Sequence, residues 1–318
     1  MSIPVTPENP LALIAGPTAS GKSAVALALA HRLENDGRRT VIVNADSAQV
    51  YGDLQVLSAR PSEDEMEGIE HRLFGAWDGA EACSAAQWAA RAKAEIADIH
   101  AAGAVPILVG GTGLYLKVLL EGIAPIPAID PAVRDAVRAM APGDAYKLLQ
   151  IEDPERAAML DPGDSQRIAR ALEVKRATGV TLGDWQLAKA GGIAEEVTLH
   201  PLIVEPERQW VYDRCDARFE TMLDNGAIAE VEALLARGLD PDLPVMRAIG
   251  VPEIAAWLAG EIEADAVVAS GSQATRNYAK RQFTWFRRQP PPEWPRVHPD
   301  WESENIDIEA CFASLLRK

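Results

Sequence analysis

Short apolar runs alternate with stretches of helical spacing over the first third of the chain. Leu11 to Ala15 (LALIA) is apolar throughout and predicts a buried strand. It runs into a Gly-rich turn, after which KSAVALALAHRLEND sets Val25, Leu29 and Leu33 on one helical face until Gly37 stops the helix. Thr40 to Ala45 (TVIVNA) is a β-branched run that predicts a second strand, Ala85 to Ala102 a long Ala-rich helix, and Val105 to Val109 (VPILV) a third strand leading into GGTG. Another strand is expected at Val197 to Val204, and from there the pattern is mostly helical to about Gln289. Strands that alternate with helices define an α/β protein with a parallel sheet and crossover helices.

A different segment interrupts this order. Residues 124 to 131 (APIPAIDP) hold three prolines and read as a linker, and Gly191-Gly192 reads as the matching return. Between them the pattern is helical with no convincing strand. The expected organisation is a core domain of residues 1–124 and 191–318 carrying a helical insertion, residues 125–190, on two hinges. The alternative is that these helices complete the core.

The turn after the first strand reads Gly16-Pro17-Thr18-Ala19-Ser20-Gly21-Lys22-Ser23, a full match to G-x-x-x-x-G-K-[ST] in the strand-to-helix context the motif requires. Backbone N–H groups and the helix N-terminus favour a bound anion, Lys22 adds a positive charge, and the Ser23 hydroxyl can ligate Mg²⁺. The fold class is therefore a P-loop NTPase-like α/β core with a helical insertion. The loop does not specify what the phosphate is attached to. An ATP-using P-loop enzyme ordinarily has an acid at the end of another buried strand to hold Mg²⁺. Here VPILV ends in Gly110-Gly111-Thr112-Gly113 and no carboxylate stands there. The acid that follows a strand is Asp46, at the sheet edge where ligands of such folds bind. It could also be a turn or N-cap residue.

Composition and charge change the picture in one place. The chain has 318 residues, 48% of them hydrophobic, with no apolar run long enough to span a membrane. The start, MSIPVTPENP, lacks the basic and apolar segments of a secretory leader, so a cytoplasmic protein is expected. Cys83, Cys215 and Cys311 are far apart and match no zinc spacing, so they are expected to pack as small apolar residues. The histidines are equally scattered. A net charge of −16 argues against nucleic acid only when taken as a sum. Residues 61–70 (PSEDEMEGIE) read as a solvated acidic loop, whereas residues 270–290 carry Arg276, Lys280, Arg281, Arg287 and Arg288 and no acid. On a helix these cations share one half, and Tyr278, Ala279, Phe283, Trp285 and Phe286 take the other and are expected in the core. A basic face on an acidic chain points to bound phosphates.

Taken together, GPTASGKS, ADSAQVY, VGGTGLYLKVLL, DSQRIARALEV followed by TG, MRAIG and ATRNYAKRQFTWFRR occur in the order found in the tRNA dimethylallyltransferases, which this chain resembles from about residue 11 to 288. The resemblance implies a P-loop that holds dimethylallyl diphosphate where related kinases hold nucleotide. It implies transfer of the dimethylallyl group to the N6 amine of the adenosine 3′ to the anticodon, position 37, in tRNAs reading codons that begin with U, with diphosphate released. Asp46 would be the base on that amine, Arg247 of MRAIG a further diphosphate clamp, and Thr112 would line the opening where the substrates meet. Asp46, Ser47, Ala48 and Gln49 would contact the extruded base and its neighbours. Gln166, Arg167 and Arg170 would contact the anticodon loop, as would Arg134. Arg167 and Arg170, three apart on a helix, also fit surface salt bridges. Lys280, Arg281 and Arg287 would hold tRNA phosphates. Mg²⁺ at Ser23 is the cofactor, and a monomer suffices.

Departures from the family's pattern lie outside this set. Arg60 stands where a lysine is common, which leaves a phosphate or RNA contact there open, and Arg72 follows His71 where paired histidines are frequent. Two other classes stay open on the residues alone: a small-molecule or nucleoside kinase, and a noncatalytic RNA-binding P-loop protein.

Overall fold

The structure is a computed structural model in which residues 9–299 and 306–317 are described. The opening residues, on which the expectation of no leader rests, lie outside them. Six strands form one sheet: β1 (Pro10–Ala15), β2 (Thr40–Asn44), β3 (Glu70–Arg72), β4 (Val105–Gly110), β5 (Thr198–Val204) and β6 (Arg296–Val297). Their order is β3-β2-β4-β1-β5-β6 and every neighbouring pair is parallel. Leu11 to Ala15 are fully buried, as are β2 and β4 along their whole length. A parallel sheet covered on both faces needs strands that are apolar throughout, which is why these segments read as runs and not as alternations.

The two strands not anticipated are short edge strands. β3 is Glu-His-Arg, held at its rim by Glu70 pairing with Arg39 and Arg72. Its charged residues at an edge carry no hydrophobic pattern, and the acidic segment read as a loop gives its last residue, Glu70, to this strand. β6 is two residues long and pairs only with β5.

The chain falls into two compact units, Met1–Leu119 with Ala194–Lys318, and Leu120–Ile193. In the first, helix α1 (Lys22–Asn35) presses Val25, Leu29 and Leu33 onto the sheet. Helix α2 (Ala85–Ala101) begins with a reciprocal Ser84/Gln87 capping box, and α3 (Gly113–Glu121) follows β4. In the second unit, α4 (Pro131–Arg138), α5 (Pro142–Glu152), α6 (Pro154–Met159) and α7 (Ser165–Thr178) enclose a separate core of Val137, Leu149, Ile168 and Leu172, and α8 (Leu182–Leu187) follows. Three of its helices start with proline, whose missing N–H costs nothing at a first turn. The Pro-rich segment before α4 is packed as well as linking, because Ile129 is buried against Val174 and Leu182. After β5 the first unit continues with α9 (Arg208–Met222), α10 (Ile228–Ala236), α11 (Val251–Leu258) and α12 (Ala264–Arg288), with α12 packed along α9.

Strand register brings the loops to one level. Ala15 of β1 lies opposite Gly110 of β4 and Ile203 of β5, and Asn44 of β2 lies opposite Val109. The P-loop, the Ala45-Asp46 turn and the Gly-Gly-Thr-Gly turn therefore leave the sheet side by side at its C-terminal edge, where α/β ligand sites form.

Candidate functional site

A cavity of about 600 Å³ opens at this edge, lined by residues from Thr18 to Ala24, by Asp46 to Gln49, and by side chains of α9, α12 and the MRAIG turn. At its floor the P-loop is tightly shaped. Gly21 has φ 85° and opens α1, and Ala19 takes φ 60°, a conformation that costs an L-residue roughly 1 kcal/mol. Ala19 is held there by packing in a buried cluster with Val211, Cys215, Ala279 and Phe283. A Cβ on Gly16 would come within 2.3 Å of the Val204 carbonyl, so glycine is required by the closeness of β5.

Lys22 turns back over its loop and donates to the Pro17 carbonyl at 3.1 Å. Burial lowers its pKa to about 8, opposed by Asp46 and reinforced by Arg218. Arg218, on α9, was not foreseen. Its guanidinium donates to Thr18 Oγ1 at 2.6 Å and lines the cavity, and burial pulls its pKa down from the usual arginine value. Arg214, one turn earlier, lines the same wall. Two half-buried cations, Lys22 and Arg218, beside an anion loop make a site that gains from a bound polyanion.

Asp46 sits in the cavity wall, 9% exposed. Its turn geometry and its exposure to the cavity coexist: Oδ1 accepts the Ala48 N–H at 2.9 Å. The turn is anchored by Asn44, fully buried, whose amide oxygen accepts the Asp46 N–H at 2.9 Å and whose nitrogen donates to the Asp46 and Leu73 carbonyls. Trp88 of α2 donates to the Asn44 carbonyl at 3.1 Å. Gln49 reaches the Ser58 and Ala59 carbonyls and fixes the loop that supplies Leu54 and Leu57 to the cavity. Arg60 turns inward over Gly75 and donates to the Gly52 carbonyl at 3.2 Å, so its charge is spent on the loop backbone.

Thr112 stands beside the cavity, within hydrogen-bond reach of Tyr278 and Ser47, both of which line it. Its hydroxyl accepts the Ser47 N–H at 2.9 Å and donates to Ser47 Oγ at 3.2 Å, tying the β4 turn to the β2 turn. Why the β4 turn has no acid is also clear: a Cβ on Gly110 would fall 2.2 Å from the Ala45 carbonyl, and one on Gly111 2.3 Å from Gln282 Nε2. Backbone and an amide fill the place that a metal-holding carboxylate would need.

On α12 the outer half is basic and the inner half is not wholly core. Ala279, Phe283 and Phe286 are buried as expected, but Tyr278 lines the cavity with its hydroxyl on Thr112 and Ser47. Burial raises its pKa above the usual phenol range, and likewise that of Tyr115, which stacks on Trp88 at 4.4 Å. Arg281 joins the lining above the Tyr278 ring, Lys280 and Arg287 are exposed, and Arg276 is withdrawn from the basic face by pairing with Asp216. Arg247 lines the cavity rim and leans on Asp242. Cys83 and Cys215 line the same cavity; burial raises both thiols, so they behave as apolar wall.

In the second unit Arg134 is exposed on α4, and Gln166, Arg167 and Arg170 lie in the first half of α7. Arg167 pairs with Asp164, the cap of that helix, at 2.9 Å, and Arg170 approaches the buried Glu173 at 3.5 Å. Both are thus in salt bridges and still carry exposed guanidinium surface.

The P-loop at the end of a central parallel strand, with cations and a carboxylate converging on one cavity, defines an α/β P-loop protein with a cavity suited to an anionic ligand. A model of the family described as IPP transferase matches residues 49–289, and the chain belongs to that family. It is 63% identical over 317 residues to the tRNA dimethylallyltransferase of Erythrobacter litoralis, covering 98% of this chain and 99% of that one. It is 60% identical to the enzyme of the same name from Sphingopyxis alaskensis, over 97% and 98% of the two chains. Among solved structures it is similar to a full-length tRNA isopentenylpyrophosphate transferase from Bacillus halodurans, with TM-score 0.68, 28% identity and coverage of 97% and 96%. It is also similar to a eukaryotic dimethylallyltransferase acting on tRNA, with TM-score 0.74, 27% identity and coverage of 88% and 70%.

Proposed function

We propose that this protein transfers the dimethylallyl group of dimethylallyl diphosphate to the N6 amine of adenosine 37, 3′ to the anticodon, in tRNAs that read codons beginning with U. The N6–C1 bond forms as the C1–O bond to diphosphate breaks, and the amine proton passes to Asp46. That amine is barely basic, so its proton leaves late, when the new bond has made the nitrogen acidic, and a carboxylate of ordinary basicity is sufficient. The observation that carries the reading is the meeting of Lys22, Arg218 and Asp46 in one cavity whose wall also includes the apolar side chains of Leu54, Leu57, Phe219 and Met222. A cationic floor takes the charge of the leaving diphosphate, and an apolar wall keeps water from the allylic carbon.

Arg247 would close over the diphosphate after letting go of Asp242. Asp46 to Gln49 would meet the adenine, which has to leave its stack before its amine can be reached. Arg134, Gln166, Arg167 and Arg170 are proposed to hold the anticodon loop, and Lys280, Arg281 and Arg287 the phosphates. For Mg²⁺ the donor set fits in one way. Ser23 exposes its hydroxyl at the start of α1, and no cluster of three His, Cys, Asp or Glu is found among the described residues. That suits a hard cation held mainly by diphosphate oxygens and water, with Ser23 as the protein ligand. When bound it would neutralise charge on the leaving group. A single chain carries all these groups, and we propose a cytoplasmic monomer. Among the described residues no helix is long and apolar enough to cross a membrane.

Phosphoryl transfer by a small-molecule kinase is disfavoured by the filled space at Gly110 and Gly111. The test is incubation with radiolabelled dimethylallyl diphosphate and unmodified tRNA: label in tRNA supports transfer, and bound tRNA without label supports a noncatalytic binder.

A further inference from the structure

We propose that Gln282 is a positioning residue for the transfer, fixing the loop that holds diphosphate against the loop that carries Asp46. The proposal rests on the transfer reading above. Gln282 is 5% exposed and points from α12 into the gap between two loops. Its Oε1 accepts the Thr18 N–H at 2.7 Å, and its Nε2 donates to the Gly111 carbonyl at 2.9 Å. One side-chain amide thereby supplies an acceptor to the P-loop and a donor to the β4 turn, a pairing that among uncharged side chains of this length only glutamine offers.

The bridge extends in both directions. On the P-loop side the Thr18 hydroxyl holds Arg218. On the other, Thr112 follows Gly111 directly and its hydroxyl is hydrogen-bonded to Ser47, the residue after Asp46. Diphosphate cation, P-loop, β4 turn and base-bearing turn are thus one connected series, with Gln282 as its link between the phosphate half and the base half. Gly111 has no side chain because a Cβ there would sit 2.3 Å from Gln282 Nε2 and 2.8 Å from the Gly16 carbonyl, so the three segments are fitted to each other. A shift of about 1 Å between leaving group and acceptor can cost on the order of 100-fold in rate, and that separation is what this link controls.

The test uses the full chain with Gln282→Glu and Gln282→Met, assayed beside the unsubstituted protein with dimethylallyl diphosphate and unmodified tRNA, with a thermal melt of each. An ionised carboxylate keeps the Thr18 bond but faces the Gly111 carbonyl with a second acceptor. A protonated one restores both bonds, and burial raises the pKa of such a group. Expected are kcat values roughly 10- to 100-fold down at about pH 8, a KM for tRNA within about twofold of normal, and recovery of Gln282→Glu relative to the unsubstituted protein as pH falls to about 6. Gln282→Met, with no proton to regain, stays flat in that ratio. If Gln282→Met does not fold, the ratio for Gln282→Glu decides alone. A kcat for Gln282→Glu within about twofold of normal at about pH 8, or a ratio that does not move with pH, overturns the proposal. Absence of transfer by the unsubstituted protein would instead remove the functional reading and this proposal with it.

Discussion

Arg218 donates to the hydroxyl of Thr18, 200 residues earlier in the chain, and so brings a second half-buried cation to the P-loop beside Lys22. A motif of eight residues supplies one fixed charge. The fold supplies the other from α9, and together they face Asp46 across the cavity.

Replacing Arg218 with glutamine keeps a donor for Thr18 and removes the charge. Single-turnover transfer is expected to slow by about 100-fold, the loss typical of one preorganised donor to a developing anion, with tRNA affinity unchanged. Equal rates for the two proteins would take Arg218 out of leaving-group stabilisation.

Asp46→Asn retains the oxygen that accepts the Ala48 N–H, so the turn survives while the proton acceptor is lost. Transfer is expected to fall by about 100-fold or more, with tRNA binding by filter retention near normal. Turnover within a few-fold of normal would mean that another group takes the proton.

The depressed pKa of Lys22 gives a pH dependence of definite sign. The ammonium is present below about 8 and is lost above it, and diphosphate needs the cation. The kcat/KM for dimethylallyl diphosphate, which reports the free enzyme, is therefore expected to be level below that pH and to decline as pH rises through it. A level profile to about pH 9.5 would contradict the assignment.

Exposure separates the cations of α12. Lys280→Gln and Arg287→Gln are each expected to weaken tRNA binding and to lower the salt dependence by about one phosphate contact. Arg276→Gln is expected to leave both unchanged, because Arg276 is already paired with Asp216. Titrations of tRNA at several salt concentrations read both quantities.

The parts legible in the sequence were those whose cause is local. LALIA, TVIVN and VPILV announce buried parallel strands because burial on both faces demands continuous apolar side chains. GPTASGKS announces a cradle because its glycines and its lysine act through backbone geometry. Asp46 was visible because it follows a strand. Arg218 was not, since in RQWVYDRCDARFETM several charged residues crowd one helix and nothing local marks which arginine faces inward. Gln282 was hidden for the same reason, its two partners being supplied by distant loops. The tie between Thr112 and Ser47 has no local signal, because the two residues stand 65 apart in the chain. Tyr278 was assigned to the core by helical phase, but that phase points at the rim of the cavity. β3 lacked an apolar pattern altogether.

The most direct test of the whole account follows carbon and phosphorus together. The protein is incubated with unmodified tRNA, Mg²⁺, dimethylallyl diphosphate labelled in the prenyl chain, and ATP labelled at its terminal phosphate. The prenyl label is expected on adenosine 37, with free diphosphate released in equal amount and the ATP label left in ATP. Phosphate label moved to a small alcohol, with no prenyl label in tRNA, would contradict it.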